Sequence, residues 1–282
     1  MMGTGRVFVA LAALLLALHV AGVAAQGEPE LAAEARFALQ DPPSAPFNIV
    51  QMVLEFQPNA AVPLHRHGGA GYISIIEGNL TLIADGVEAS YGAGDNFVET
   101  PAGQYEGGNP TGEPMVLMVS YLVPVGVETT TNLGPAPEGR PGPTIITQTT
   151  YTVDDPPADF EVIHLVEDWE AGAESGWTAY NGMSLTTVVD GELAVRNADN
   201  DETVYPAPHF YAAEPGSELE LTNDGDDPAR SVTTVLLTTG DELTGEAGSD
   251  DNRALFIAGA AGALVIVGGL ALLARQRRAA AA

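Results

Sequence analysis

Residues 63–82, PLHRHGGAGYISIIEGNLTL, are matched 113 positions later by residues 176–195, GWTAYNGMSLTTVVDGELAV. The two segments share a glycine before an apolar run, an acid–glycine pair at its end, and a leucine two residues later. The same offset continues outside the segments, at Phe47 and Phe160, Phe56 and Trp169, Phe97 and Phe210, and Gly103 and Gly216. A repeat at one fixed offset indicates two copies of a single folding unit.

The two copies differ at the polar positions of this segment. His65 and His67 of the first copy correspond to Thr178 and Tyr180 of the second copy. The residues that repeat are mainly turn glycines and apolar positions, which define a fold. The sequence therefore predicts a functional site in the first copy and a degenerate, scaffold-like second copy.

Both copies consist of short apolar runs that are rich in β-branched and aromatic residues and are separated by Gly, Pro and Asn. This pattern is typical of an all-β sandwich or barrel, and no segment between the runs is long or periodic enough to form a crossover helix. We predict one domain over residues 37–123, a linker rich in Pro, Gly and Thr over 124–150, and a second domain over 151–239.

The two ends of the chain predict export and anchoring. Residues 1–25 have the charged start, short apolar stretch and small-x-small cleavage pattern of a secretory signal peptide. Residues 254–274 form a continuous apolar stretch that is long enough to cross a bilayer core of about 30 Å. The arginines in the tail, 275–282, place that tail in the cytoplasm. The acidic stretch 240–253 then forms a stalk, and the protein is a single-pass protein of the cell membrane with both copies outside.

The composition excludes several classes of function. The formal net charge is −28 at pH 7, so the protein repels phosphate backbones and nucleic acid is not an expected partner. The chain contains no cysteine, which excludes disulfides, thiol catalysis and cysteine-ligated metals.

The most distinctive polar motif is His65-Arg66-His67, which directly precedes the apolar run Gly71–Ile76. Residues two apart on an extended strand face the same side, so both imidazoles point in one direction. Neutral imidazole is a common ligand for Zn, Cu, Fe and Ni. The spacing is compatible with a metal site or with an ordinary pair of surface histidines.

Residues 63–82 resemble the first motif of the cupin superfamily. Residues 94–114, with Gly94-Asp95, Pro101-Ala102-Gly103 and Asn109, resemble its second motif. The second copy retains the glycine and strand skeleton. The resemblance implies two tandem jelly-roll β-barrels, to which the sequence adds a C-terminal transmembrane helix. It leaves open whether the barrels form one unit or a homodimer between chains, since cupins often pair through their sheets.

The resemblance also implies a metal site built from two His and one Glu of the first motif and one His of the second. His65 and His67 match the first two ligands, but the expected Glu falls at Ala70 or Gly71, and the last His falls near Glu106. One interpretation is that His65, His67 and Glu106 hold a single divalent ion, which is Mn, Zn, Cu, Ni or Fe. The other is that the site has decayed and the histidines line a pocket without metal.

Several further residues belong to the predicted site. Tyr72, Tyr105 and Glu99 are candidates for the lining of a ligand pocket in the first copy. In the second copy, Leu219 occupies the position that matches Glu106, beside the Thr178 and Tyr180 already mentioned. None of these three residue types forms a normal divalent-metal site.

Three functions remain open at this stage. They are a membrane-anchored protein that binds a small molecule in its first barrel, a metal-dependent oxygenase or isomerase of a small organic or sugar substrate, and a structural module. The incomplete ligand set and the lack of a clear acid–base pair favour the first over the second. The retained His-x-His pair favours the first over the third, and no catalytic residue is assigned.

Overall fold

A computed structural model describes residues 27–40, 42–245 and 256–257, and these residues form strands without any α-helix. The strands are β1 (Glu30–Ala38), β2 (Phe47–Phe56), β3 (Ala61–His67), β4 (Ala70–Glu77), β5 (Asn79–Ala84), β6 (Val87–Gly92), β7 (Asn96–Glu99), β8 (Tyr105–Gly108), β9 (Met115–Pro124), β10 (Thr130–Asn132), β11 (Thr144–Val153), β12 (Phe160–Trp169), β13 (Glu174–Tyr180), β14 (Met183–Asp190), β15 (Glu192–Asn197), β16 (Glu202–Pro206), β17 (Phe210–Ala213), β18 (Glu218–Thr222), β19 (Ala229–Thr238), β20 (Thr244–Gly245) and β21 (Phe256–Ile257).

The strands build two antiparallel barrels, each made of two sheets. The first barrel combines the sheet β11-β2-β9-β4-β7 with the sheet β10-β3-β8-β5-β6. The second barrel combines β1-β12-β19-β14-β17-β21 with β16-β15-β18-β13-β20. The predicted all-β class is thereby confirmed.

Some predicted segments fall outside the described residues. These are the signal peptide at 1–25, most of the stalk at 240–253, the tail at 275–282, and the membrane span at 254–274 apart from the two residues of β21. Within the part of the chain that the structure describes, no helix has the length and apolar character needed to cross a membrane.

A glycine at the same point of both copies allows two neighbouring strands of each barrel to approach closely. A Cβ atom on Gly69 would collide with the carbonyl oxygen of Leu122, and one on Gly182 would collide with that of Leu236. Any side chain would therefore push β4 away from β9, or β14 away from β19. This close approach explains why the glycine occurs at the same point of both copies.

The register of the strands corrects the single offset that the sequence predicts. Leu80 pairs with Tyr91 in the first copy, whereas Leu193 pairs with Tyr205 in the second, so the offset grows from 113 to 114 residues. The extra residue lies in the turn of the β15–β16 hairpin, which is longer than the Asp85-Gly86 turn of β5–β6. Every equivalence beyond that hairpin therefore shifts by one residue.

Each barrel receives one edge strand from the segment that precedes the other. Strand β1, which precedes the first barrel, pairs with β12 of the second barrel. Strand β11 precedes the second barrel and pairs with β2 of the first. The stretch 124–150 predicted as a linker thus supplies β10 and most of β11. The exchange of edge strands ties the two barrels together.

The barrels pack face to face within one chain, through the sheets that contain β2 and β12. A buried cluster joins Phe47, Ile49 and Leu122 of the first barrel to Phe160 and Leu185 of the second. The rings of Phe47 and Phe160, which are equivalent residues, stack with their centroids 6.3 Å apart. Equivalent residues meet here, so an approximate two-fold relation connects the barrels.

Polar side chains near the centre of this interface follow the same symmetry. Gln51 donates to the hydroxyl of Thr234 at 2.8 Å and accepts from Thr187 at 2.6 Å. His164, the equivalent of Gln51, has ring nitrogens 3.0 and 2.9 Å from two serine hydroxyls of the first barrel. Those serines are Ser74 and Ser120. Burial lowers the pKa of His164 to about 3, so the ring is neutral.

Candidate metal centre

Strand β3 presents both histidines of the His-x-His motif to the interior of the first barrel. Exposure alternates along the strand: His65 is 7% exposed, Arg66 faces solvent, and His67 is 4% exposed. The two rings lie 4.8 Å apart between centroids. The sequence prediction that both imidazoles point in one direction is confirmed.

Glu99, at the end of β7, completes a group of three potential ligands. Its Oε2 atom lies 2.7 Å from His67 Nε2, and His67 Nε2 lies 3.1 Å from His65 Nε2. One ligand atom from each of the three residues falls within 4.8 Å of the others, and Glu99 is only 6% exposed. Two imidazoles and one carboxylate form a donor set that suits a divalent transition metal.

Backbone carbonyls fix the orientation of both rings. His65 Nδ1 lies 2.8 Å from the carbonyl oxygen of Pro63, and His67 Nδ1 lies 3.2 Å from that of Thr129. A carbonyl oxygen only accepts, so each of these contacts is a hydrogen bond in the tautomer that carries its hydrogen on Nδ1 and its lone pair on Nε2; His67 Nδ1 also lies 3.2 Å from the hydroxyl of Thr130. Metal-bound histidines are oriented in this way by their second nitrogen.

In this tautomer, three lone-pair atoms face one another in a buried space. The two Nε2 atoms and the Glu99 carboxylate repel each other unless a positive charge lies between them. That charge is either a proton on the group or a metal ion. The arrangement fits a cation far better than it fits an empty apolar core.

Two buried aromatic residues lie beside the group of three ligands. The rings of Tyr105 and Tyr121 lie 6.1 and 4.5 Å from the ring of His67. Burial is the main cause that raises the pKa of both phenols and so keeps them protonated. Burial also lowers the pKa of His65, against the opposing effect of its hydrogen bond to Pro63, and this favours the neutral, metal-binding form.

Glu106 is not part of the group, although the sequence predicted it as the acidic ligand. It lies on β8 directly after Tyr105, whose ring faces the histidines. Neighbouring residues on a strand point to opposite faces, so Glu106 is directed away from them. Its equivalent in the second barrel is Glu220, and Leu219 instead corresponds to Tyr105.

Glu99 compensates for the carboxylate that is missing from the motif. The expected Glu falls at Ala70 or Gly71, and Glu99 is the direct cross-strand partner of Gly71. A Cβ atom on Gly71 would enter the space of the Tyr121 ring, so this position has no room for a larger residue. The sequence placed Glu99 only in the pocket lining, because cross-strand pairing is not visible in a local motif.

The two tyrosines that were predicted to line the ligand pocket lie in different parts of the structure. Tyr105 lies beside the histidines, as expected. Tyr72 instead lies in the interface between the barrels, where its ring meets Phe37 at 5.5 Å and its hydroxyl accepts from the Gln40 N–H at 3.1 Å. Tyr72 is on the interface face of its sheet, whereas Glu99 and Tyr121 are on the other face of the same sheet, which is directed at the histidines of β3.

The second barrel has other residues at the equivalent positions. The register places Thr178, Tyr180 and Ala213 where the first barrel has His65, His67 and Glu99. No potential metal-ligand group was found in the described part of this barrel.

Comparisons with known proteins agree with this architecture. Residues 52–121 match the family described as cupin domain. A point mutant of oxalate decarboxylase from Bacillus subtilis aligns with a TM-score of 0.50 and 13% identity, over 78% of this chain and 77% of that one. Vicilin from hazelnut, Corylus avellana, aligns with a TM-score of 0.50 and 9% identity, over 68% of this chain and 76% of that one.

These two structures share the fold with this chain, and at such low identity they show nothing more. No curated protein matches the sequence significantly. The family match covers residues 52–121, which lie in the first barrel, and the second barrel has the same architecture.

Proposed function

We propose that the first barrel binds one divalent metal ion through His65, His67 and Glu99, and that the ion holds a small organic ligand. The observation that carries this proposal is the convergence of three ligand atoms within 4.8 Å. The lone pairs of both imidazoles are directed inward by hydrogen bonds to carbonyls. A bound divalent ion supplies a Lewis acid with open coordination positions.

The residues around the ion define what it can accept. The two imidazoles are neutral and only Glu99 is charged, so the loaded site keeps a net single positive charge. Such a site favours a ligand with an anionic oxygen, such as a carboxylate, even though the whole chain is acidic. Tyr105 and Tyr121 limit the water that competes with this ligand.

The proposed location rests on the sequence. The signal segment 1–25 and the apolar stretch 254–274 support a protein that is anchored at the cell membrane with both barrels outside. Ferrous iron is difficult to keep reduced outside the cell. We therefore propose that the bound ion is Mn, Zn, Cu, Ni or Fe, with no preference for Fe.

Metal analysis of the purified full chain tests the proposal. The protein is stripped with a chelator, reconstituted separately with each of the five metals (Fe²⁺ without oxygen), desalted, and measured by elemental analysis. We expect one ion per chain for at least one metal. The His65→Ala/His67→Ala variant should lose it, and the matched Thr178→Ala/Tyr180→Ala variant should retain it. Absence of metal after every reconstitution would reject the proposal.

A further inference from the structure

The second barrel contains a cavity at the place where the first barrel has its metal group. Its volume is about 170 Å³, and its lining includes Thr178, Tyr180 and Ala213. These are the equivalents of His65, His67 and Glu99. The second barrel therefore has a space at this position that its side chains do not fill.

Polar residues replace apolar ones in the floor of this cavity. Glu167, Thr186 and Thr233 line it, and the register equates them with Leu54, Ile73 and Val119 of the first barrel. The hydroxyls of Thr186 and Thr233 lie 2.9 Å apart. Buried polar groups destabilise a barrel that only serves as a scaffold, because they lose hydration. Their concentration in one cavity is typical of a site that binds a polar ligand.

One buried hydroxyl of the lining lacks a partner. Ser217 is 5% exposed, and its Oγ atom makes no hydrogen bond to any described residue. Buried hydroxyl groups in proteins are nearly always hydrogen-bonded. A ligand in the cavity would provide the missing partner, so this residue points to an occupant independently of the charges.

The charge of the lining selects the kind of occupant. Glu28, Glu167 and Glu214 contribute carboxylates, and no Arg, Lys or His is among the lining residues. Burial raises the pKa of Glu167, and a hydrogen bond from Ser231 at 3.4 Å opposes this only in part. A cation beside Glu167 would favour its ionised form. An anionic ligand would be repelled.

The size and the aromatic lining narrow the class further. A cavity of about 150 Å³ accommodates benzene, so this one suits a ligand of similar size. Trp169, Tyr180 and Tyr211 line it together with the carboxylates. Aromatic side chains with nearby carboxylates recognise organic ammonium groups, because the ring faces are negative.

We propose that the second barrel is a metal-free binding site for a small organic ammonium ion. Glu167 balances its charge, Trp169, Tyr180 and Tyr211 surround its alkyl groups, and Ser217 binds its polar end. The two barrels then bind ligands of opposite charge. The proposal does not depend on the metal centre of the first barrel.

Calorimetric titration of the full chain with choline tests the proposal. The matched probe is the neutral isostere of choline in which carbon replaces nitrogen. We expect choline to bind at least about 10-fold more tightly than this isostere, and Glu167→Gln to remove most of the difference. Ser217→Ala should lower the affinity for choline by about 3-fold. Phosphocholine should bind less well than choline, because its phosphate would meet the carboxylates of Glu28 and Glu214.

Two controls separate binding from folding and from the metal site. Tyr180→Leu should weaken choline binding, whereas Tyr180→Phe should preserve it. Thermal unfolding checks that both variants are folded. His65→Ala/His67→Ala should leave choline binding unchanged, so failure of the metal proposal would not affect this result. Equal affinity for choline and its isostere, or no binding of either, would overturn the proposal.

Discussion

The two barrels place different chemistry at one structural position. His65, His67 and Glu99 converge in the first barrel, and Thr178, Tyr180 and Ala213 border an open cavity in the second. The strands that carry these residues pair in the same order and register on both sides. The fold therefore determines where a site lies, and a few side chains determine what it binds.

The comparison also shows how the site is maintained within a duplicated chain. The face that joins the barrels keeps equivalent residues in equivalent contacts, as with Gln51 and His164. The opposite face of each sheet, which lines the interior of its barrel, carries different residues in the two copies. Packing between the barrels constrains one face of each long sheet, and the other face is free to change.

The largest effect is expected from the acidic ligand of the first barrel. Glu99→Gln should lower metal affinity by roughly 1,000-fold, because it removes a ligand outright, whereas loss of a supporting residue costs about 10–100-fold. Glu106→Gln is the matched control and should change the affinity by less than about 3-fold. Competition with a chromogenic chelator measures both variants. An equal loss in the two would show that the acidic ligand has been assigned to the wrong strand.

A smaller effect distinguishes the two exchanged edge strands. Phe37 of β1 is 3% exposed and packs against Tyr72 and His164, with ring centroids 5.5 and 5.1 Å away. Its equivalent on β11, Tyr151, is only partly buried. Phe37→Ala should lower the free energy of unfolding by about 3 kcal/mol, and Tyr151→Ala by about 1 kcal/mol. Urea unfolding gives both values.

The order of these two effects is the informative result. If Tyr151→Ala destabilises the protein as much as Phe37→Ala, the two edge strands contribute equally, and the difference in burial has no energetic consequence. If neither variant is destabilised, the exchange of edge strands does not hold the barrels together.

The sequence predicted features that depend on local periodicity. Alternation along β3 placed His65 and His67 on one buried face, and the repeated turns and glycines indicated two β-barrels. These signals need only the neighbouring residues, since the side-chain period of a strand is fixed.

Features that depend on pairing between distant strands were missed. Glu99 reaches the histidines because β7 pairs with β4, and one extra residue in the β15–β16 hairpin shifts all later equivalences. A shift of one residue exchanges the two faces of a strand, so the sequence matched Glu106 with Leu219, whereas the structure matches it with Glu220. Tyr72 was misplaced because nothing local distinguishes a barrel interior from an interface between barrels.

A further comparison concerns the pair Gln51 and His164, which occupy equivalent places in the interface. Burial holds the pKa of His164 at about 3 in the folded protein, well below the 6.5 of an exposed histidine. The unfolded chain therefore binds a proton first as the pH falls. The stability that depends on neutral His164 is complete above about pH 6.5 and is lost progressively between pH 6.5 and pH 3.

Glutamine cannot titrate, and Gln51 shows that an amide at the equivalent position satisfies two hydroxyls. Between pH 7 and pH 4, the free energy of unfolding of His164→Gln should therefore fall by about 3 kcal/mol less than that of the parent protein, while that of Gln51→His should fall by more. Urea unfolding at both pH values gives the differences, and the acidic residues common to all variants cancel from them. An unchanged pH dependence in His164→Gln would mean that acid unfolding begins elsewhere, and that the two equivalent positions differ in residue type without differing in their response to protons.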